Sequence, residues 1–321
     1  MIKRIQLMIV GAQKAGTSSL LRYLVQHPDI HTHAQPEMTF FLQDREYTRG
    51  YGWAFAKYFA GKHTHADLTD KHLIAKNVMV MHSPEVMQRI YEHNPEIHLV
   101  VLLREPVARA YSAYWWARRR GWENIKTYEE ALAAEEARLN EDWFKWRQCA
   151  YQYNGIYYPH VKNLITQFGA SHVHCILTDD LKDNAEVVCQ QLFDRVGASA
   201  DFTPTMDERH NQATLPRSEK FNFLFTQFLA SHNPLRRVIR KLLPDATAYK
   251  LRKAVLDWND KPKENMDSGA HPSKNTPPPI NPQTRERQMA YFKPFNEQLA
   301  ELLGRDLSAW NSSQSSVISS R

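Results

Sequence analysis

The chain has 321 residues, 42% hydrophobic, 11% aromatic and 24% charged, a globular balance that excludes a disordered, collagenous or coiled-coil protein. Its 41 basic against 35 acidic residues leave a net charge of +6, which suits an anionic ligand but is too mild by itself to point to nucleic acid. Cys149, Cys175 and Cys189 are an odd number with no CxxC spacing, so neither a zinc site nor a disulfide framework is encoded, and a reducing compartment is the default.

In chain order, the first element is a strand over residues 4–10, apolar and β-rich, which stops at Gly11. The N-terminus lacks the small-residue cleavage site of a signal peptide, and the longest aliphatic run, Leu99 to Leu103, is far short of the ~20 residues that cross a bilayer, so a cytoplasmic protein is expected. A loop follows Gly11, then a helix from Ser18 to Gln26 with Leu20, Leu21, Leu24 and Val25 at helical spacing. Residues 38–66 are aromatic-rich and read as irregular. The run from Ile97 to Leu103 is typical of a strand buried on both faces, and Arg104, Glu105 and Pro106 open a helix that Gly121 ends. Residues 122–152 read as helical with a charged face. A third strand, His172 to Leu177, precedes a turn at Asp179, Asp180 and Leu181 and a helix from Ala185 to Val196. Residues 261–282 carry six of the 17 prolines and read as a loop, and a helix from Arg285 to Leu303 leads to Trp310 and a Ser-rich tail, 311–321, expected to be disordered. Strands alternating with helices predict an α/β fold: a P-loop-like central parallel sheet flanked by helices, in a single domain over residues 1–310, with ligands at the carboxyl ends of the strands.

The segment Gly11, Ala12, Gln13, Lys14, Ala15, Gly16, Thr17, Ser18, Ser19 lies between a strand and a helix, where a glycine-containing loop wraps an anion with backbone N–H groups. It is not a Walker A loop, because Thr17 stands where the lysine should follow the second glycine and Lys14 sits inside the loop. At the end of the second long strand stands Arg104, where a metal-dependent P-loop enzyme has a carboxylate. Arginine grips an anion directly, and Ser112, about two turns into the next helix, tilts back toward the same end. A metal is therefore not required, and lysine, arginine and loop amides supply the positive charge.

These residues resemble the sulfotransferases that use 3′-phosphoadenosine 5′-phosphosulfate (PAPS), in particular the heparan-sulfate type and its bacterial relatives. QKAGTSSL is similar to that family's 5′-phosphosulfate motif and REPVARAYSAY to its 3′-phosphate motif, covering the loop 11–19 and the segment 104–112. Pro36 to Phe41 resembles the family's Glu-x-x-Phe-Phe segment, Lys76 falls at a family lysine, and LLGRDLSAW resembles the C-terminal end of bacterial members. The resemblance implies transfer of a sulfuryl group from PAPS to an acceptor hydroxyl or amine of a carbohydrate or glycoconjugate, leaving 3′,5′-adenosine bisphosphate. It implies Glu37 as base, with Lys14 and Lys76 in the catalytic set. Gly11, Gln13, Lys14, Ala15, Gly16, Thr17, Ser18, Ser19, Arg104 and Ser112 would bind the nucleotide, joined by Arg217 and Ser218 from a segment that closes over it.

Two departures bear on the branch: Ala75 precedes Lys76 where a glutamate is frequent, and Val78 stands where members acting on estrogens and phenols carry a histidine. A lipid or natural-product hydroxyl is an alternative acceptor, and a P-loop kinase or a non-catalytic polyanion binder are alternatives of another class. Plainer readings exist residue by residue: Lys76 as the cap of a strand end, Ser218 as the start of a helix, and the basic runs at Arg118 to Arg120 and Arg236 to Lys241 as solvated faces rather than a contact with an anionic surface. His31/His33, His63/His65 and His172/His174 are spaced to share a strand face, but with no carboxylate or cysteine ligand evident they do not mark a metal site. No nucleic-acid partner is expected, and oligomeric state is not encoded legibly.

Overall fold

The computed structural model describes residues 2–61, 66–141, 147–206 and 277–312. Five parallel strands form one sheet: β1 (Leu7–Gly11), β2 (Ile30–Thr32), β3 (His72–Lys76), β4 (His98–Leu103) and β5 (Val173–Leu177), in the order β2-β3-β1-β4-β5. All five residues of β1 are buried, as are Leu99 to Leu103 of β4, which is why both read as unbroken apolar runs. β1 sits in the middle, registering Leu7 against Ile74 of β3 on one side and against His98 of β4 on the other. The chain leaves β1 toward β2 and returns to the other side only at β4. The strand order therefore reverses beside β1, and the crevice at the carboxyl ends of β3, β1 and β4 is where such sheets bind ligands.

The helices, in chain order, are α1 (Thr17–Leu24), α2 (Asp44–Tyr47), α3 (Gly50–Phe55), α4 (Pro84–His93), α5 (Pro106–Arg119), α6 (Tyr128–Ala133), α7 (Glu135–Glu141), α8 (Tyr158–Phe168), α9 (Thr178–Asp183), α10 (Ala185–Val196) and α11 (Pro282–Leu303). By internal packing the chain divides into two compact units. The first holds Met1–Arg109, Ile156–His210 and Met289–Arg321, with the whole sheet; the second holds Ala110–Gly155 and Asn211–Gln288. In the second, Ala110, Ala113, Tyr114 and Ala117 form the apolar stripe of α5 and cluster with Tyr128, Ala131, Cys149 and Tyr151. Among the described residues, no helix is long and apolar enough to cross a membrane.

Several elements differ from the sequence expectation. Residues 122–152 are not one charged-faced helix: α6 starts at the Thr127 cap, α7 follows, and Glu123, Glu135 and Arg138 are buried. Glu123 receives both Nη1 and Nη2 of Arg138, at 2.6 and 2.8 Å, plus the Tyr151 hydroxyl at 2.9 Å, while Glu135 accepts the amides of Gln152 and Tyr153. Asp179 to Leu181 is helix α9, not a turn, because the Asp180 carboxylate accepts the Leu177 amide and caps its start. The irregular stretch after residue 38 contains α2, α3 and a π-helical turn, Ala56–Ala60. β2 and β3 are short and carry histidines, which hides them from periodicity. Of the proline-rich segment, residues 261–276 lie outside the described residues, and in the remainder Pro278 accepts the Tyr111 hydroxyl at 2.8 Å. In the tail, Asn311 accepts the Asn296 amide at 2.9 Å, and residues 313–321 lie outside the described residues.

Candidate active site

The loop after β1 is shaped by its backbone. Ala12 donates to the Leu102 carbonyl at 2.8 Å, Ala15 donates back to Ala12 at 3.2 Å, and α1 begins at Thr17. Lys14 and Gly16 adopt positive φ, 69° and 96°, which turns the chain sharply enough to aim the helix N-terminus at the crevice. The amides of Thr17 and Ser18 precede the first helical bonds, those of Ser19 and Leu20 to Gly16, and so face outward along the helix axis. Gln13, Ala15 and Thr17 are buried, Lys14 is half-buried and Ser18 is exposed. At Gly11, a Cβ would run into the Met81 sulfur, so any side chain there requires Met81 to move.

The end of β4 is sewn to this loop. Arg104 donates from Nη1 to the Lys14 carbonyl at 3.1 Å, and the Arg104 carbonyl accepts the fully buried Tyr157 hydroxyl at 3.0 Å. The Thr178 hydroxyl, at the end of β5, lies 3.0 Å from the carbonyls of both Ala15 and Leu103. Trp310 packs on the Tyr157 ring at 6.3 Å between centroids, which brings the C-terminal segment to the support of Arg104. Burial lowers the Arg104 pKa, with nearby Tyr157 and Glu105 opposing. Ser112 lies half-buried on α5, in the second unit.

On the other side of β1, Glu37 and Lys76 meet. Lys76 ends β3, is 4% exposed, and its ammonium is paired with Glu37 Oε1 and 3.5 Å from the Ser18 hydroxyl. The second Glu37 oxygen accepts the Val78 amide at 3.2 Å. Val78 thus contributes its backbone amide to the site, not its side chain. Met38 donates to the Lys76 carbonyl at 2.8 Å, and Asn77, 1% exposed, donates from Nδ2 to the Met38 carbonyl at 2.9 Å while its Oδ1 accepts the Met79 amide. Burial raises the Glu37 pKa above the ordinary 4.5, and the Lys76 charge and hydrogen bonds pull against that rise. A carboxylate, an ammonium and a helix N-terminal hydroxyl therefore form one chain, Glu37 to Lys76 to Ser18, leading from the end of β3 to the start of α1.

A family profile described as "Sulfotransferase domain" matches residues 4–239. The chain belongs to the sulfotransferase domain family. Mouse heparan sulfate glucosamine 3-O-sulfotransferase 5 is 27% identical over 186 residues, covering 54% of this chain and 47% of that protein. Mouse bifunctional heparan sulfate N-deacetylase/N-sulfotransferase 4 is 24% identical over 204 residues, 61% of this chain and 22% of that one. The chain thus spans less than half the length of these curated relatives. The crystal structure of a sulfotransferase from Alicyclobacillus acidocaldarius superimposes with a TM-score of 0.64 and 23% identity over 97% of this chain and 100% of that chain, which shows the shared fold.

Within this sulfotransferase domain, the predicted residues of the loop, Arg104, Glu37 and Lys76 converge at the ends of β1, β3 and β4, whereas Arg217 and Ser218 lie outside the described residues. The histidine pairs resolve differently from one another. His31 bonds the Phe59 carbonyl, His33 bonds backbone on both sides, His174 lies on β5 with its Nε2 3.0 Å from His98 Nδ1, and His63 and His65 fall outside the described residues. No group of three or more His, Cys, Asp or Glu side chains is arranged to hold a metal among the described residues. Sequence reasoning missed Asn77, Thr178 and Tyr157. The first two had a signal in their position, each directly after a strand of the sheet; Tyr157 had none, since its partner is a backbone carbonyl 53 residues away.

Proposed function

We propose that this chain transfers a sulfuryl group from PAPS to a hydroxyl or amine of a carbohydrate or glycoconjugate, releasing 3′,5′-adenosine bisphosphate. The observation that carries the reading is the linked set of Glu37, Lys76 and Ser18 beside the loop of Lys14. The acceptor oxygen or nitrogen forms a bond to sulfur as the bond from sulfur to the phosphate oxygen breaks, and the acceptor proton passes to Glu37. A Glu37 pKa raised by burial brings the base nearer to neutral pH, where it accepts a proton more effectively. Lys14 and the amides at the start of α1 offset charge growing on the leaving phosphate, and Lys76 is placed to hold a sulfonate oxygen as Glu37 takes up the proton. Arg104 and Ser112 bind the 3′-phosphate, and Arg217 and Ser218 complete the nucleotide contacts, as the resemblance implies. The carbohydrate acceptor rests on the names of the heparan sulfate relatives, and Val78 in place of a histidine supports it over a phenol.

The test is a transfer assay with sulfur-labelled PAPS against unsulfated heparan oligosaccharides, glycolipids and small phenols, in excess chelator. Label in the oligosaccharide or the glycolipid supports the reading, and label in a phenol alone moves the acceptor class while keeping the reaction. Activity lost in chelator, restored by Mg²⁺ and accompanied by ATP consumption, overturns it in favour of a kinase.

A further inference from the structure

His33 sits where β2 leaves the sheet. The β2–β3 ladder ends with the pair Thr32 and Ile74, and the next β3 amide on that side, that of Lys76, meets a side chain in place of a backbone carbonyl. Lys76 N–H donates to His33 Nε2 at 3.0 Å. The other ring nitrogen, Nδ1, lies 2.6 Å from the Gln35 carbonyl, which can only accept, so Nδ1 carries the proton and Nε2 is the acceptor. One ring therefore joins the amide of Lys76 to the carbonyl two residues ahead of Glu37.

The ring is held where it stands. His33 is 4% exposed, with the rings of Tyr58 and Phe59 edge-on at 6.3 and 6.5 Å. The ionisable groups facing it are Lys76 from β3 and Tyr58 from the π-helical turn, the Tyr58 hydroxyl being engaged by Glu46 and Lys57. Burial, helped by the Lys76 charge and opposed by the hydrogen bond to Gln35, pushes its pKa down to about 4, so the ring is uncharged at neutral pH.

We propose that His33 is a positioning residue for sulfuryl transfer: its neutral ring sets the backbone of Lys76 against the Glu37 segment, and so sets the ammonium against the carboxylate. The proposal rests on Glu37 being the base. The bonds from Met38 to the Lys76 carbonyl and from Asn77 to the Met38 carbonyl hold the two segments together independently of His33. Loss of the Nε2 acceptor thus frees the amide side of Lys76 without detaching the strand. With Lys76 less well placed, the Glu37 anion is less stabilised and its pKa rises further. The acid limb of kcat then moves to higher pH, a displacement that a mere loss of stability would not cause.

The experiment compares wild type, His33→Asn, His33→Gln and Glu37→Gln. It reads kcat against pH with labelled PAPS and a heparan oligosaccharide, and calorimetric affinity for 3′,5′-adenosine bisphosphate. The Asn amide reaches the Nδ1 position and serves Gln35 but leaves Lys76 N–H unmet, whereas the Gln amide reaches the Nε2 position and serves Lys76. His33→Asn is expected to lose roughly tenfold or more in kcat, as small misplacements at a reacting centre do, with its acid limb displaced upward and bisphosphate affinity nearly unchanged. His33→Gln is expected to restore most of kcat and the wild-type limb. Equal losses in both variants with the limb unmoved, or a wild-type His33→Asn, overturn the proposal. Should His33→Asn fail to fold, His33→Gln decides, and a displaced limb in that variant overturns it. An active Glu37→Gln removes the assignment of the base itself, whatever the His33 variants do.

Discussion

The two flanks of β1 carry two differently built halves of the site. Toward β4, the cradle is made by backbone: two positive-φ residues, a helix N-terminus, and carbonyls of Lys14, Ala15 and Leu103 tied by Arg104 and Thr178. Toward β3, the flank proposed to carry the reaction is made by side chains: Glu37 and Lys76 hold each other, and Asn77 and His33 hold the segments that carry them. A backbone-built anion site tolerates the loss of one contact because several amides share the charge. A side-chain pair has no such reserve, since removing one partner leaves the other buried and uncompensated. Nucleotide binding should therefore be robust and turnover fragile.

The largest effect is expected at the fragile half. Glu37→Gln keeps the shape and loses the proton acceptor, so kcat should fall by ~10²–10⁴ while calorimetric affinity for 3′,5′-adenosine bisphosphate stays within a few-fold. In the wild type the acid limb of kcat should lie above the ordinary glutamate value of 4.5, with activity falling as pH drops through the raised pKa and the base takes up a proton. A limb at or below 4.5, or turnover close to wild type in the variant, removes Glu37 from the chemistry.

Lys14→Ala probes the loop at the side chain proposed to meet the developing charge. Steady-state kinetics should show kcat lower by ~10²–10³ with a much smaller loss in bisphosphate affinity, because the Arg104 bond to the Lys14 carbonyl survives the substitution. Equal losses in affinity and kcat would make Lys14 a ground-state binder and erase the contrast between the two halves.

Arg104 binds the Lys14 carbonyl through its guanidinium and Tyr157 through its backbone carbonyl, so Arg104→Ala removes the first alone and sharpens the comparison. Wild type should bind 3′,5′-adenosine bisphosphate at least ~30-fold more tightly than AMP, and Arg104→Ala should remove most of that preference, a loss of ~2 kcal/mol or more for a truncated charged contact. Ser112→Ala should reduce it less, having lost a neutral donor. Calorimetry with both nucleotides checks this; an equal weakening of the two by Arg104→Ala would restrict Arg104 to shaping the loop.

The smallest effect is expected at Thr178, a pure support of the backbone half. Thr178→Val forfeits one hydroxyl donor shared between two carbonyls, for about 1 kcal/mol of stability by urea unfolding, with kcat and nucleotide affinity nearly unchanged. A large loss of nucleotide affinity would mean that the cradle is not held by its own backbone.

What the sequence by itself determined is local. The buried runs of β1 and β4, the glycine frame of the loop, the shifted Lys14 and the Arg104 at a strand end follow from periodicity and spacing over a few residues; they sufficed for the parallel sheet, and the resemblance of the two motifs to known sulfotransferases supplied the family. Glu37 and Lys76 were each legible as short matches, but their pairing was not, because 39 residues separate them and the strands that join them, β2 and β3, are three and five residues long. The tertiary structure alone decided which polar groups are spent on support. Glu123, Arg138 and Asp180 looked like solvated or turn residues, yet the first two form a buried ion pair and the third caps a helix. His33 looked like half of a histidine pair and became a bridge between backbones. The reason is common to all of them: a polar side chain is defined by the partner that pays for its desolvation, and that partner is chosen by the fold, not by neighbours in sequence.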